Sequence, residues 1–494
     1  MALSNESNII LEWSHNILKY AWDTVSFTPT FQQKEFLLMF QRMVWAKIRV
    51  NKQGFTPTEA EKELSRKFGI SVMSGVGTGK GAVGSICILW FMTCFPYPKI
   101  VVTSPSQKQL SITLWAELAK WHLKSKIRDW FVFQHEKFFF KEHNGAQWFA
   151  AQRTANTRNS PEEQAETLAG LHEDFLLIIA DEASGIPDPV FRPLESTLTR
   201  TCNLCLLLFN PTRSKGFAYD THFRDSDNWE QFHWNAEESE NVTKESILRY
   251  EKKYGRESNF FKIRVLGIPP VDTDGALIPW SWIMDAVDRE VEPNENDQTI
   301  SSLDVGAGGD DSSLCNRRGP IVHPLQVASF TEAENLRDWA VPLVLQAEPK
   351  MMLIDNIGVG FGVEALIRDR LKHHSIDVIP VNVALSAFNS QRFYRLRDEL
   401  CWRLREEFEK GIISIPDDPL LHGELNAYRY EEKAGIVHVE SKKQLKARGV
   451  ESPNRFDSLM MTEMYSAEHV RQIYIPLHKK NKKNRKKVHN WKVA

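Results

Sequence analysis

A chain of 494 residues exceeds what one hydrophobic core usually covers, so at least two domains are expected. With 42% hydrophobic and 26% charged residues it is neither a disordered chain nor a fibrous repeat, and the apolar stretch 82–95 is too short to cross a bilayer and reads as a buried helix. The formal charge of -2 hides an asymmetry: residues 479–494, KKNKKNRKKVHNWKVA, hold 8 of the 62 Lys and Arg and no acid, leaving 54 against 64 Asp and Glu, so nucleic-acid binding would need local basic surfaces.

The six cysteines are scattered and no secretory signal precedes them, which suggests reduced thiols in a cytoplasm. Cys202-x-x-Cys205 has no second pair or nearby His, and a metal role is not expected there.

Near the start, FTPTFQQKEFL offers Gln32 as an amide for an adenine edge. Four apolar runs then alternate with helical patterns and end in small or polar residues: FGISVMSG, KIVVTSPS, FLLIIADEAS and LCLLLFNPT. This alternation predicts an α/β domain on a mainly parallel sheet, with ligands at the carboxyl ends of its strands. The first run opens SVMSGVGTGKGAVGS, residues 71–85. Aligned on the phosphate-loop pattern, Ser74 takes the first glycine position, Gly75, Gly77, Thr78 and Gly79 form the loop, Lys80 faces the β and γ phosphates, and Gly81 stands where a Mg²⁺-binding hydroxyl is usual. On that loop alone, an ordinary strand-to-helix turn is the stronger reading.

The third run ends in Asp181 and Glu182, where an Asp can hold Mg²⁺ and the adjacent Glu can orient an attacking water. Asn210 and Thr212, after the fourth run, are suited to sensing a γ phosphate. These strand ends together favour nucleotide hydrolysis with Mg²⁺. Arg153 and Arg158, in AAQRTANTRNS, are candidates to reach a neighbouring subunit's nucleotide, although arginine in a polar loop is more often solvated.

The chain turns polar and acidic over 281–298, which places an ATPase domain at 1–285, a linker at 286–297, a second α/β domain at 298–470 and a basic, flexible tail at 471–494. In the second domain Asp304 ends TISSLD, Asp355 ends MMLID, and Asp457 lies in a helix for which Ser452 can be the cap and Pro453 the first turn. Asp310 or Asp311, in GAGGDDSS, could join them through a hairpin. Each Asp could be a turn or cap residue. Carboxylates converging from two strands and a helix are also how two divalent ions, Mg²⁺ or Mn²⁺, are clamped for phosphodiester cleavage. Asp457 sits beside the apolar stripe of Phe456, Met460 and Met464, where an acid needs a partner or a metal. Lys442, Lys446 and Arg448, in ESKKQLKARG, are candidate contacts to a DNA backbone.

In order, SGVGTGKG, VVTSPSQKQL with Trp115, LAGLHEDFLLIIADEASGIPD, FNPTRSKGFAYD, SLDVGAGGDDSS, IDNIGVGFG and ESKKQLKARGVESPNRFDSL resemble the large terminase subunits of tailed bacteriophages, from about Pro29 to Ala467. The resemblance implies an N-terminal P-loop ATPase that translocates double-stranded DNA and a C-terminal nuclease with an RNase H-like fold. It implies ATP and Mg²⁺ at the first site, with Lys80 on phosphate, Asp181 on Mg²⁺, Glu182 activating water and Asn210 to Thr212 coupling hydrolysis to movement. Asp304, Asp355 and Asp457 would hold the nuclease metals, supported by Asp311. The implied partners are DNA, the portal protein, a small terminase subunit and further copies in a ring, in the host cytoplasm and transiently at the portal vertex, outside the mature virion and with no membrane. Gly81 and Asn454, the latter where relatives often carry Asp, depart from the family pattern. A rival expectation, resting on Gly81, is a non-catalytic DNA-binding or portal-docking protein with a decayed nucleotide site.

Overall fold

The computed structural model describes residues 5–464 except 144, 155–159, 172, 273–274, 307–309, 357–359, 434 and 451–452. Arg158, Ser452 and the basic tail therefore lie outside the described residues. The chain forms two compact units, one running to Glu251 and joined by Phe261–Pro270, the other made of Lys252–Phe260 and the chain from Val271 onward.

This division differs from the expected linker at 286–297, which falls inside the second unit. The reason is the helix Trp280–Ala286. Its Trp280, Ile283 and Met284 are buried, it packs on the helices Leu396–Glu409 and Pro419–Ala427, and the next residue, Val287, bridges to Ile415. A polar stretch in sequence thus marks a surface segment and not a boundary.

The first unit is built on eight strands: β1 (Gly69–Ser74), β2 (Lys99–Thr103), β3 (Phe131–Phe133), β4 (Lys137–Phe140), β5 (Phe149–Gln152), β6 (Phe175–Asp181), β7 (Cys202–Phe209) and β8 (Trp229–Trp234). Their order is β3-β4-β5-β2-β6-β7-β1-β8, and all pairings from β5 to β8 are parallel. The four runs legible in the sequence are the four contiguous central strands β2, β6, β7 and β1. Every residue of β1, β6 and β7 is buried, as a parallel strand covered on both faces requires. The stretch after the phosphate loop forms the helix Lys80–Cys94, which is apolar nearly all round and sits in the core with Phe36, Phe40 and Leu118. Cys202 and Cys205 are buried free thiols.

The second unit carries β9 (Thr299–Asp304), β10 (Asp311–Arg318), β11 (Ile321–Val322), β12 (Gln326–Ser329), β13 (Met351–Asp355) and β14 (Asp377–Val381) in the order β11-β10-β9-β13-β14, with β12 also on β10. β10 runs antiparallel to β9, whereas β9, β13 and β14 are parallel. A meander followed by parallel strands with helical crossovers is the sheet of an RNase H-like fold. A hairpin of β15 (Tyr430–Lys433) and β16 (Ile436–Val439) stands apart from it. The overall class is α/β in both units, as the sequence suggests.

Candidate active sites

The phosphate loop leaves the carboxyl end of β1. Gly77 and Gly79 adopt φ of +78° and +87°, conformations that side-chain-bearing residues rarely take, and a Cβ on Gly75 would come 2.4 Å from the Val265 carbonyl oxygen. The amides of Gly75 and Val76 already donate to the carbonyls of Trp234 and Arg264 at 2.8 and 2.7 Å. The donors left to face an anion are therefore those nearer the helix start, from Gly77 to Lys80. Lys80 Nζ donates to Ser74 Oγ at 2.9 Å. Burial lowers the Lys80 pKa, against the opposing pull of Glu182 and Asp181. The turn is locked from outside by Gln33, whose amide donates to the Thr78 carbonyl at 2.9 Å. Gln32 donates to the Asn235 carbonyl at 3.2 Å, which leaves its buried Oε1 as an acceptor for an exocyclic amine.

Asp181 ends β6 and is buried; burial raises its pKa, while the Thr113 hydroxyl, Lys80 and the backbone N–H groups of Glu182 and Leu114 pull it down. The Thr113 Oγ1 to Asp181 Oδ2 distance is 2.8 Å. Glu182 follows at φ +50°, a strained left-handed conformation for a non-glycine residue and one that is characteristic of functional turns. Asn210 is buried beyond β7; its amide donates to the Ser74 carbonyl at 2.6 Å and its backbone carbonyl accepts from Ser184 Oγ at 2.8 Å. Asn210 thus ties the loop to the turn carrying Glu182, which suits coupling better than direct sensing of phosphate. The Thr212 amide closes on the Asn210 carbonyl at 2.8 Å. Arg153 donates to the Thr167 carbonyl at 3.1 Å, a contact that holds its own loop.

The second site lies at the carboxyl ends of β9 and β13. These strands are parallel with Leu303 opposite Ile354, so Asp304 and Asp355 emerge side by side. The helix Asn454–Met461 brings Asp457 to them. It can lie flat on the sheet because the facing residues are serines: Ser302 Oγ donates to the Ser458 carbonyl at 2.6 Å, and the Ser313 and Ser458 hydroxyls meet at 2.9 Å. Pro453 occupies the N-cap of this helix and not its first turn.

Asp304, Asp355 and Asp457 line one cavity of about 730 Å³, together with Arg397 and Lys442. Burial raises the Asp304 pKa well above the usual carboxylate range; Lys442 opposes this, and Asp457, Asp355 and Glu424 add to it. Lys442 Nζ stands 2.6 Å from Asp457 Oδ2. Among the described residues no three His, Cys, Asp or Glu side chains are already gathered to hold an ion. The donor set nevertheless suits one, because among the described residues the buried Asp457 Oδ1 has no hydrogen-bond donor and the carboxylate is compensated by the Lys442 ammonium at Oδ2 and by the charge of Arg397.

Three expected residues sit elsewhere. Asp311 starts β10 with its carboxylate accepting from the Ser329 hydroxyl, and it does not line the cavity. Strand pairing of Asp311 with Ser329 turns it away from the trio. Lys442 is directed inward to Asp457 instead of outward to a DNA backbone. Arg448 grips Glu440 with two bonds of 2.7 and 2.6 Å and the Ala427 carbonyl, so it organises the cavity wall. Lys446 and Arg448 are exposed, and among the described residues Lys446 alone of the three makes no ion pair. Asn454 donates to the Asp311 backbone carbonyl at 2.7 Å, a neutral role at the position where the family pattern has an acid.

The chain is 30% identical over 282 residues to the probable terminase, large subunit, of Enterobacteria phage P7, an alignment covering 53% of this chain and 56% of that protein. The chain resembles phage large terminase subunits. It spans about half the length of that curated relative. No family model matches. Among solved structures, the large terminase of thermophilic bacteriophage D6E overlaps 87% of this chain and 98% of its own at 13% identity and a TM-score of 0.41. The nuclease domain of the large terminase subunit of bacterial virus Sf6 overlaps 38% of this chain and 97% of its own at 20% identity and a TM-score of 0.34.

Against this terminase resemblance, several site residues were invisible to the motifs. Gln33 and Thr113 support the phosphate loop and Asp181 from outside any pattern. Glu424 stands buried beside Asp304, accepts from the Phe456 amide at 3.0 Å, and has its pKa pushed up to about 7 by burial. One signal could have found it: Glu424 lies among buried Leu421 and Leu425 on a short helix, as Asp457 lies among Phe456 and Met460.

Proposed function

We propose that this chain is an ATP-driven DNA-packaging motor joined to a metal-dependent endonuclease, the two activities of a phage large terminase subunit. One observation carries the reading: each unit presents its own acidic site at the carboxyl ends of its own sheet, one beside a lysine-bearing phosphate loop, the other built from Asp304, Asp355 and Asp457. A helicase would not need the second site, and a docking protein would need neither.

In the first site Lys80 and the amides of the loop bind the phosphates of ATP, Asp181 would hold Mg²⁺, and Glu182 accepts a proton from the attacking water. Gln32 Oε1 meets the adenine amino group. Asn210, bonded at once to the loop and to the turn after Glu182, transmits the loop's movement. In the second site Asp304, Asp355 and Asp457 would hold two divalent ions, and Glu424 fixes the amide that starts the Asp457 helix. Divalent ions at either site supply neutralisation of phosphate charge and a lowered water pKa. Duplex DNA is the substrate, with Lys446 among its backbone contacts; portal, small subunit and a ring of further copies are the partners such a motor requires, met in the host cytoplasm. Among the described residues no helix is long and apolar enough to cross a membrane.

The test is Asp355→Asn. Plasmid cleavage in Mn²⁺ is expected to fall at least about a hundredfold while ATP hydrolysis persists. Loss of both activities together would count against separate sites. The docking reading instead predicts that wild type releases no phosphate with DNA and Mg²⁺.

A further inference from the structure

Gly81 deprives the phosphate loop of the hydroxyl that in this kind of site stands between Mg²⁺ and the strand-end Asp. A hydroxyl is nevertheless present at that Asp, and it comes from another part of the chain. Thr113 is the junction residue between the helices Gln107–Ile112 and Leu114–Lys124, with the unusual backbone φ -103° and ψ -103°. That break in the helical path aims its side chain at β6. Its Oγ1 donates to Asp181 Oδ2 at 2.8 Å, and the next residue's N–H also bonds Asp181.

Two features make this more than a buried hydrogen bond. The Gln109 carbonyl lies 2.8 Å from the same hydroxyl and already accepts the Thr113 amide at 3.0 Å. The hydroxyl thus has one proton and two acceptors at 2.8 Å, the Gln109 carbonyl and Asp181 Oδ2, so when the proton turns to Gln109 the oxygen's lone pairs face a cation held by Asp181. The second feature is at Gly81 itself: the nearest atoms outside its own helix backbone are Glu117 Cβ and Cγ, both 3.8 Å from where a Cβ would sit. Glu117 is one helical turn beyond Thr113 and its amide bonds the Thr113 carbonyl at 3.0 Å. The helix that carries Thr113 thus packs directly against the position where the loop lacks its hydroxyl.

We infer that Thr113 replaces the missing loop hydroxyl as the neutral oxygen ligand of the nucleotide-bound Mg²⁺, presenting it alongside Asp181. The inference rests on the motor reading of the first site. It explains how a loop ending in Gly-Lys-Gly can remain functional, and it makes the departure at Gly81 a relocation of one ligand.

The test uses the full chain and a non-hydrolysable fluorescent ATP analogue, with affinity measured in EDTA and in Mg²⁺. Thr113→Val keeps the shape of the side chain and removes the oxygen. It is expected to leave affinity in EDTA unchanged and to reduce the Mg²⁺-dependent gain roughly tenfold or more. Thr113→Ser should retain the gain, and Gly81→Ser, for which there is room, should restore it in the Thr113→Val background. A Thr113→Val protein with the wild-type Mg²⁺ gain overturns the inference, as does a loss that is equal in EDTA. Wild type that binds no nucleotide under either condition would overturn the motor reading itself.

Discussion

The two units neutralise buried charge in opposite ways. Around the phosphate loop, neutral dipoles share the work with one lysine: Asp181 is met by two amides and a hydroxyl besides Lys80, and the loop by the amide side chains of Gln33 and Asn210. The second unit buries charge against charge. Arg317 is enclosed with Glu407 and Glu463, each 2.5 Å from its guanidinium, Asp457 faces Lys442, and Arg455 sits between Asp418 and Glu424. A site that releases and rebinds an anion at each turnover, as proposed for the first unit, is served by fixed dipoles. A site that concentrates carboxylates for cations needs a scaffold able to hold like charges together, and compensating ion pairs supply it.

The largest effect that would sharpen this contrast is at Arg317. Arg317→Met leaves Glu407 and Glu463 buried without their cation, and Glu407 is already pushed up to about 7 by burial. Removing one partner from a buried ionic group costs about 3–5 kcal/mol. Calorimetry is expected to show a markedly lower unfolding temperature for the second unit and an unchanged transition for the first. Equal shifts in both would erase the distinction.

A smaller effect is expected at Glu424, whose pKa rises from 4.5 to about 7. An acid held above its unfolded value favours the folded state while protonated, and that contribution is present below pH 4.5 and lost as pH rises through about 7. Glu424→Gln removes the titration. Its denaturant midpoint should vary less than wild type's between those limits, and parallel pH profiles would show that Glu424 is not the titrating group.

Legibility in the sequence followed the same divide between local and tertiary causes. The four central strands of the first sheet were readable because each is a run of apolar residues closed by a polar one, and burial on both faces demands that pattern. The same rule exposed Asp181, Asp304 and Asp355, since a carboxylate at the end of a buried strand points to the ligand side of the sheet. Asp457 was readable from its place beside an apolar helical stripe. The antiparallel edge β3-β4-β5 was not anticipated, because its strands are three or four residues long and carry no alternation. Thr113 was unreadable, for its role arises from a broken helix packing against Gly81, and no spacing in the chain records that approach. Lys442 and Arg448 looked like a basic surface because sequence shows charge without direction; folding turns both toward acids.

The central claim is that one chain holds two separable sites, and one paired measurement addresses it: ATP turnover and plasmid cleavage assayed side by side on Glu182→Ala and Asp304→Ala. Glu182→Ala is predicted to lose turnover and keep cleavage in Mn²⁺, and Asp304→Ala to do the reverse. If either substitution removes both activities from a folded protein, or if neither removes its own, the account is contradicted.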